Sequence, residues 1–534
     1  TVHKQNGNNL QKTGNSSGSR TVAEVNNNNE STTTNTQDLQ PGEQELASLE
    51  LPDMSFKKMM GHFGPGIILM MTGIGTSHII TAPTAGGRFG YALMWCIPVA
   101  YIFKYYGFEM AFRFTNATGK SLIEAYGTQW KKWPLWYVMA TTLLQCVIGQ
   151  AGRLIAAAAV LFFLFSYLFG DSLGFEFRIE YFAVVLGAFS VFILLRGSYK
   201  IVERVAKIAA GFLFVTTVYV FFVNPPPLSV TQYFVTFDMP SGSWLIIASF
   251  LGLLPTGIDV SLQASEWGKA KKVGMGKIRH TLEEMGLAQR FDPFAPDKQH
   301  LAIDTSKLPT HAQTYCQRWF TISLWDFRLG HIVSFIIACI FLILAAIWMF
   351  PSEVEGQAVI GDIARIFTES IGNGLMIIFL IGAFAATFST AFNYFDGWPR
   401  IVGACCRNIF PATASLQGID KNDLGQEHRS RWYSEYNIYR ATMIFSLVAA
   451  LGIIIGVPRP VYLVLVASAL AYFVAPVIYF FNVYFCLTII PKTDKAFYPS
   501  RFARYFSYLS LVVFIGLSGI LIIARVFNIT LFGG

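Results

Sequence analysis

The sequence predicts an all-α integral membrane protein of about eleven transmembrane helices, and three observations carry that prediction. Of the 534 residues, 53% are hydrophobic and 13% charged, where a soluble chain would hold roughly a quarter charged. Apolar segments long enough to cross a bilayer recur from about residue 65 almost to the end. Two of them, five spans apart, are interrupted midway by glycine and polar residues. A helix facing lipid has no use for such a break, because each unpaired backbone group there costs several kcal/mol.

In chain order the spans fall near 65–85, 91–112, 135–167, 181–196, 201–223, 244–265, 329–350, 374–396, 438–456, 461–488 and 505–527. Residues 1–55 precede them as a disordered cytoplasmic tail, because the first 50 are rich in Asn, Ser, Thr and Gln with almost no aromatics. No apolar core of a cleavable signal peptide is visible there. The first span breaks at Gly73 to His78 (Gly-Ile-Gly-Thr-Ser-His). The third is overlong and should extend beyond the lipid, and the fourth is short. The sixth breaks at Pro255-Thr256-Gly257-Ile258-Asp259. Residues 266–325 form one large cytoplasmic loop, read as a short amphipathic helix followed by an irregular stretch. Its His280, His300 and His311 are too scattered for a metal cluster, so it reads as a solvated connector, with a gating or regulatory role as the alternative. Asp396-Gly397-Trp398-Pro399-Arg400 ends the eighth span, where Trp398 and Arg400 read as interfacial anchors. Lys104 and Glu109 in the second read as interfacial or gate residues.

Charge fixes the orientation. The net charge of +8 would suit nucleic acid, but the basic residues lie in loops between apolar runs. Arg113, Lys120, Lys131 and Lys132 follow the second span, and Arg196, Lys200, Arg204 and Lys207 flank the turn from the fourth to the fifth. Further basic groups follow spans six, eight and ten, while the intervening loops are acidic or neutral. Positive-inside counting places the N-terminus in the cytoplasm and, with an odd number of spans, the C-terminus outside. The location that follows is a plasma (inner) membrane, with the lipid bilayer as partner and no nucleic acid. Seven cysteines (96, 146, 316, 339, 405, 406 and 486) lack CxxC spacing and read as buried, reduced thiols.

Paired broken spans five apart imply two inverted five-helix repeats and one extra helix, the LeuT-type transporter fold. The first repeat occupies 56–228 and the second 229–490, with an eleventh helix and the C-terminus in 491–534. Such breaks flank the binding site of a secondary transporter. No GxxxxGK[ST] motif is present, so ATP drive is not expected; nor is enzymatic activity, because no nucleophile–base pair appears in the spans.

Three motifs point to a family. Gly64-Pro65-Gly66, then FGYALMW at 89–95, then ATGKSLIEAY at 117–126 resemble the NRAMP divalent-metal transporters. That resemblance implies a metal motif Asp-Pro-Gly-Asn in the first span and Met-Pro-His in the sixth. This chain departs at both. Gly75, Thr76, Ser77 and His78 stand at the first, and Thr256, Gly257, Ile258 and Asp259 at the second. The acidic pair that the family carries in its third span, on its proton route, corresponds here to Leu143 and Cys146.

A dehydrated divalent ion needs several ligands and usually one anion. Asp259 is the candidate anion, with His78 as a second metal ligand and Thr76, Ser77, Thr256 and Gln263 as neutral partners, beside the backbone of Gly75 and Gly257. A hydrated hard cation such as Mg²⁺ suits that set better than manganese or iron. Asp259 alternatively pairs with Arg153, and His78 alternatively couples protons or packs as a buried polar group. Ser389 and Thr390 resemble the paired hydroxyls of a LeuT-type Na⁺ site, the bland reading being bonds to their own helix. The expectation is a carrier of a small inorganic cation, coupled to H⁺ or Na⁺ and needing no cofactor. The alternatives are a Na⁺-coupled carrier of a small organic solute, cradled by the glycine-rich break, and a non-transporting sensor.

Overall fold

A computed structural model describes residues 41–66, 74–170, 177–196, 200–289, 301–352, 361–362, 373–410 and 432–527. Among these, seven helices are long and apolar enough to cross a membrane: Trp130–Phe169, Ile179–Arg196, Thr310–Trp348, Met376–Ile409, Glu435–Gly456, Pro460–Ile489 and Arg501–Ile523. They correspond to spans 3, 4 and 7 to 11. The other four differ for identifiable reasons. Span 2, Cys96–Thr118, carries Lys104, Glu109 and Arg113 in its interior. Span 5, Lys200–Val223, has only Leu213–Val223 available as an apolar stretch. Spans 1 and 6 are irregular.

Span 6 is two helices. The first half, Trp244–Leu253 (6a), ends where Leu254 turns to an extended conformation. The second half, Val260–Ala270 (6b), starts after Asp259, which stands at its N-cap. In span 1, residues 67–73 lie outside those described, including Gly73. Past them the chain turns at Gly75, forms a π-helix over Ser77–Thr81 and continues as Ala82–Phe89. Residues 76–78 are therefore helical, where the sequence suggested unwound backbone. A π turn widens the helix by one residue and accommodates the irregularity without freeing a whole loop.

The halves of the broken spans are wedged among intact ones. Segment 6a packs on span 10 and 6b on span 2, Ala82–Phe89 packs on span 7, and span 3 packs on spans 8 and 10. Two apolar cores result. One gathers Trp95, Ile155, Phe250, Leu254 and Leu342. The other gathers Phe108, Tyr126, Ile258, Phe327 and Trp398. Leu254 belongs to the first core and Ile258 to the second, so the span 6 break lies on the seam between them.

Three expectations are corrected. Residues 41–55 were assigned to a disordered tail, yet they include the helix Pro41–Ala47. Buried Leu46 and Leu49 anchor this segment. Thr281 donates to Glu45 at 2.9 Å, and the Leu49 carbonyl lies 2.7 Å from His311 Nε2. Span 7 begins at Thr310 rather than near 329, so the loop is shorter than read; its amphipathic helix is Met275–Glu284. Span 8 does not end at Asp396–Arg400. It runs through Pro399 to Ile409, because Ile401, Val402, Ala404 and Cys405 continue its buried face.

Candidate functional site

The Leu254–Asp259 break frees carbonyls that a continuous helix would have used internally, and buried carbonyls need donors. Lys104, fully buried in span 2, provides them. Its Nζ donates to the carbonyls of Gly252 (2.7 Å), Leu254 (2.9 Å) and Thr256 (3.2 Å). Three acceptors match the three protons that a lysine ammonium carries. A cation at the C-terminal end of 6a also opposes the negative end of its helix dipole. Lys104 is thus buried at the break rather than interfacial, as one reading of its sequence position suggested.

Asp259, 7% exposed, turns the other way. Its Oδ2 accepts a hydrogen bond from the indole N–H of Trp398 at 2.9 Å. Trp398 is fully buried and not an interfacial anchor, because span 8 continues past it and carries it into the junction. Arg400, partly exposed, is held by Asp396 at 2.7 Å. Arg153 of span 3 lies over the rings of Tyr394 (3.9 Å) and Trp398 (4.7 Å) and donates to the Gly149 carbonyl at 2.8 Å. Among the described residues it makes no ion pair with Asp259. The pairing expected of them is indirect, with Trp398 touching both. Tyr394 also meets Thr256, the two hydroxyls 3.0 Å apart.

The junction has polar atoms to spare. Both ends of the Gln263 amide are buried without a hydrogen-bond partner, as are the Thr76 hydroxyl and the side-chain carbonyls of Gln145 and Gln150. Gln263 lies one turn past Asp259 on 6b, against Gly397 of span 8. Buried polar atoms left unpaired are costly.

His78 belongs to a separate cluster. Its Nδ1 lies 3.0 Å from Ser77 Oγ, and its Nε2 lies 2.9 Å from Tyr101 Oη and 3.0 Å from the carbonyl and hydroxyl oxygens of Ser334. These partners come from spans 2 and 7, whereas Asp259 meets span 8. Among the described residues no three His, Cys, Asp or Glu side chains gather to hold a metal. Gly75 and Thr390 do come together. A Cβ on Gly75 would overlap Thr390 Oγ1 and lie 2.7 Å from the Ala386 carbonyl. The Thr390 hydroxyl donates to that carbonyl of its own helix at 3.0 Å. Ser389 is buried beside it. Gly257, in the break, lies tight against Asp259 Oδ1.

On the face carrying the basic loops, charged groups tie four elements together. Arg407 at the end of span 8 meets Glu435 (2.6 Å), Glu266 (3.5 Å) and Glu124 (3.9 Å), and Lys269 of 6b meets Glu124 at 2.5 Å. Burial raises the Glu124 carboxyl, but Lys269, Lys120 and Arg407 outweigh it and hold it below the ordinary range. The motif at 117–126 explains its position: Ser121 and Glu124 form a capping box that starts the short helix Leu122–Tyr126. At the start of span 1, the Asp326 carboxylate accepts from the N–H groups of Gly64 (2.9 Å) and Gly66 (2.8 Å). A cleft lined by Thr115, Asn116, Ala264, Gly268 and Ser323 opens beside this contact.

Lys104, Trp398, Tyr394 and Tyr101 were missed as site residues. A readable signal existed for three of them. Lys104 is an ionisable group well inside an apolar span, and Tyr394 and Trp398 share a helix face at a spacing of four.

Comparisons with known proteins follow from this geometry. Residues 66–524 match the family described as natural resistance-associated macrophage protein-like, Nramp. A crystal structure of a mutant manganese transporter from Eremococcus coleocola superposes with a TM-score of 0.55, at 14% identity, over 90% of each chain. The same transporter bound to an aromatic bis-isothiourea compound gives 0.50, also at 14% identity and 90% of each chain. An uncharacterized protein of Pasteurella multocida is 22% identical over 346 residues, covering 63% of this chain and 68% of that one.

Proposed function

The chain belongs to the Nramp family and is a multi-pass membrane transporter; from that premise we propose a secondary active carrier that moves a small inorganic cation by alternating access. The observation that carries this reading is the split sixth span, with Asp259 at its break and unpaired amides beside it. Family membership and the fold shared with a manganese transporter favour a divalent ion, Mg²⁺- or Mn²⁺-like. Asp259 is its anionic ligand, with Thr256, Gly257 and Gln263 beside it. Gly75, Thr76, Ser77 and His78 form the wall contributed by span 1. Coupling is to H⁺ or Na⁺, and for Na⁺ the seat is Ser389 and Thr390, against Gly75. The membrane is the plasma or inner membrane, with the N-terminus cytoplasmic and the C-terminus outside. The ion pairs around Arg407 then close the cytoplasmic side. Spans 1, 2, 6 and 7 move against the rest.

One observation favours a second reading. The junction holds two cations, Lys104 and Arg153, against the single carboxylate of Asp259. A solute bringing its own carboxylate would balance that excess. The two readings separate in proteoliposomes. The cation reading expects Mg²⁺ or Mn²⁺ uptake that Asp259→Asn abolishes. Full metal uptake by that variant removes Asp259 from the site. Uptake of an organic acid that requires Na⁺ and ignores divalent metals establishes the second reading.

A further inference from the structure

We propose that the end of 6a is a monovalent-cation site whose resident cation is the side chain of Lys104. This deepens the carrier reading by assigning a role to the carbonyls of the break, which that reading leaves unused. The carbonyls of Gly252, Leu254 and Thr256 converge on one point, as they would on a metal ion, and the ammonium occupies it. No water or exposed surface competes for that place, because Lys104, Leu254 and Thr256 are buried to 1% exposure or less.

Distances decide which ion the cradle imitates. Its nitrogen-to-oxygen separations run from 2.7 to 3.2 Å. Mg²⁺ binds oxygen at about 2.0–2.1 Å and Ca²⁺ at about 2.3–2.6 Å, so small divalent ions would rattle in it. The ammonium brings one positive charge to the junction, and a single monovalent ion in its place would leave the net charge unchanged. The cradle therefore suits K⁺ best once the lysine is removed, with Na⁺, close to Ca²⁺ in size, fitting it less closely. With the lysine present, a tethered charge fills the site in every molecule, and no free ion is needed to hold the break. Lys104 acts as a positioning and specificity residue: it keeps the carbonyls of 6a away from any cation that Asp259 attracts.

The test is a thermal-unfolding series on the full-length protein in detergent, with Lys104→Met and Lys104→Arg beside the wild type. Each is titrated with NaCl, KCl or MgCl₂ against choline chloride at constant ionic strength. Methionine keeps the length of the side chain and removes its charge; arginine keeps the charge. K104M should gain several degrees of stabilisation from Na⁺ or K⁺ that neither the wild type nor K104R gains. An equal response of all three proteins to monovalent ions overturns the proposal. So does a K104M protein stabilised by Mg²⁺ alone. Should K104M unfold in choline chloride, the salts are added before extraction. Folded protein recovered only with Na⁺ or K⁺ supports the site, and failure in every salt counts against it. The readout is binding rather than flux, so loss of the cation-transport reading would leave this result intact, and the reverse also holds.

Discussion

Replacing Trp398 by phenylalanine removes the indole N–H group and leaves a small cavity where the second ring stood, and its consequence can be worked from the structure. Trp398 is fully buried and Asp259 is 7% exposed, so water cannot take over when the donor is lost. The bond is 2.9 Å long and its acceptor is a carboxyl oxygen. Hydrogen bonds to charged groups contribute about 1.5–3 kcal/mol. At about 1.4 kcal/mol per factor of ten, that is roughly a ten- to hundredfold change in any equilibrium that needs the bond. Phenylalanine still offers Arg153 an aromatic face, so the stacking survives in part. Asp259→Asn keeps an acceptor for the indole and removes the charge. It also removes the one carboxylate from a junction that holds Lys104 and Arg153, so the single variant is not silent. The double-mutant cycle subtracts that effect. Trp398→Phe, Asp259→Asn and the double variant should be compared by unfolding midpoint in one detergent and by uptake in proteoliposomes. Trp398→Phe should be clearly destabilised and slower in uptake. Added to Asp259→Asn it should cost much less, leaving a coupling of about 1–2 kcal/mol between the two positions. Strictly additive effects would show that the indole merely fills space, and the case for Trp398 as the residue that orients the site carboxylate would fail.

Two other outcomes are expected. Arg407→Gln leaves Glu124, Glu266 and Glu435 without their shared cation, and breaking buried pairs costs about 3–5 kcal/mol. A cysteine at the fully buried position Gln263 should then react with a hydrophilic thiol reagent about tenfold faster or more, since about 1.4 kcal/mol suffices for that factor; unchanged labelling would show that these ion pairs do not close the face. Gly252→Ala should reduce the yield and melting midpoint of folded protein by the equivalent of about 1–3 kcal/mol or more. Its Cβ would overlap the Ser468 carbonyl, and a backbone obstacle cannot rotate away. A variant as stable as wild type would mean that 6a and span 10 are not in the close contact described.

Why some of this was legible in the sequence and some not follows from particular residues. Span periodicity, hydropathy and the polar interruption at 255–259 are local properties, so the fold class and the split sixth helix could be read directly. Asp259 was legible because a carboxylate in mid-span has few structural excuses. Lys104 met the same criterion but was assigned to an interface, because the second span was placed at 91–112 and its helix in fact runs from Cys96 to Thr118. Shifted in this way, Lys104 falls in the interior of the helix. Trp398 failed for a different reason. An aromatic next to proline and arginine at an apparent helix end resembles a membrane anchor, and only the continuation of span 8 to Ile409 shows that it is not at an end.

What no local pattern contains is the pairing itself. Lys104 meets carbonyls about 150 positions away, and Trp398 meets a carboxylate 139 positions away. The GPG motif was recognised by its spacing, but its physical reason lies 260 residues on, where Asp326 receives the N–H groups of Gly64 and Gly66. A break in a membrane helix frees polar groups wherever it occurs, so sequence can locate the break. The partner that satisfies those groups must come from another span, and its identity decides what the break can bind. In this chain the partner on the carbonyl side is a lysine ammonium and on the carboxylate side an indole. A cation entering the junction therefore meets one carboxylate oxygen already engaged and a carbonyl set already filled. On the proposed cation reading, its affinity has to come from neutral groups such as the unpaired Gln263 amide, and such groups suit an ion that keeps part of its water.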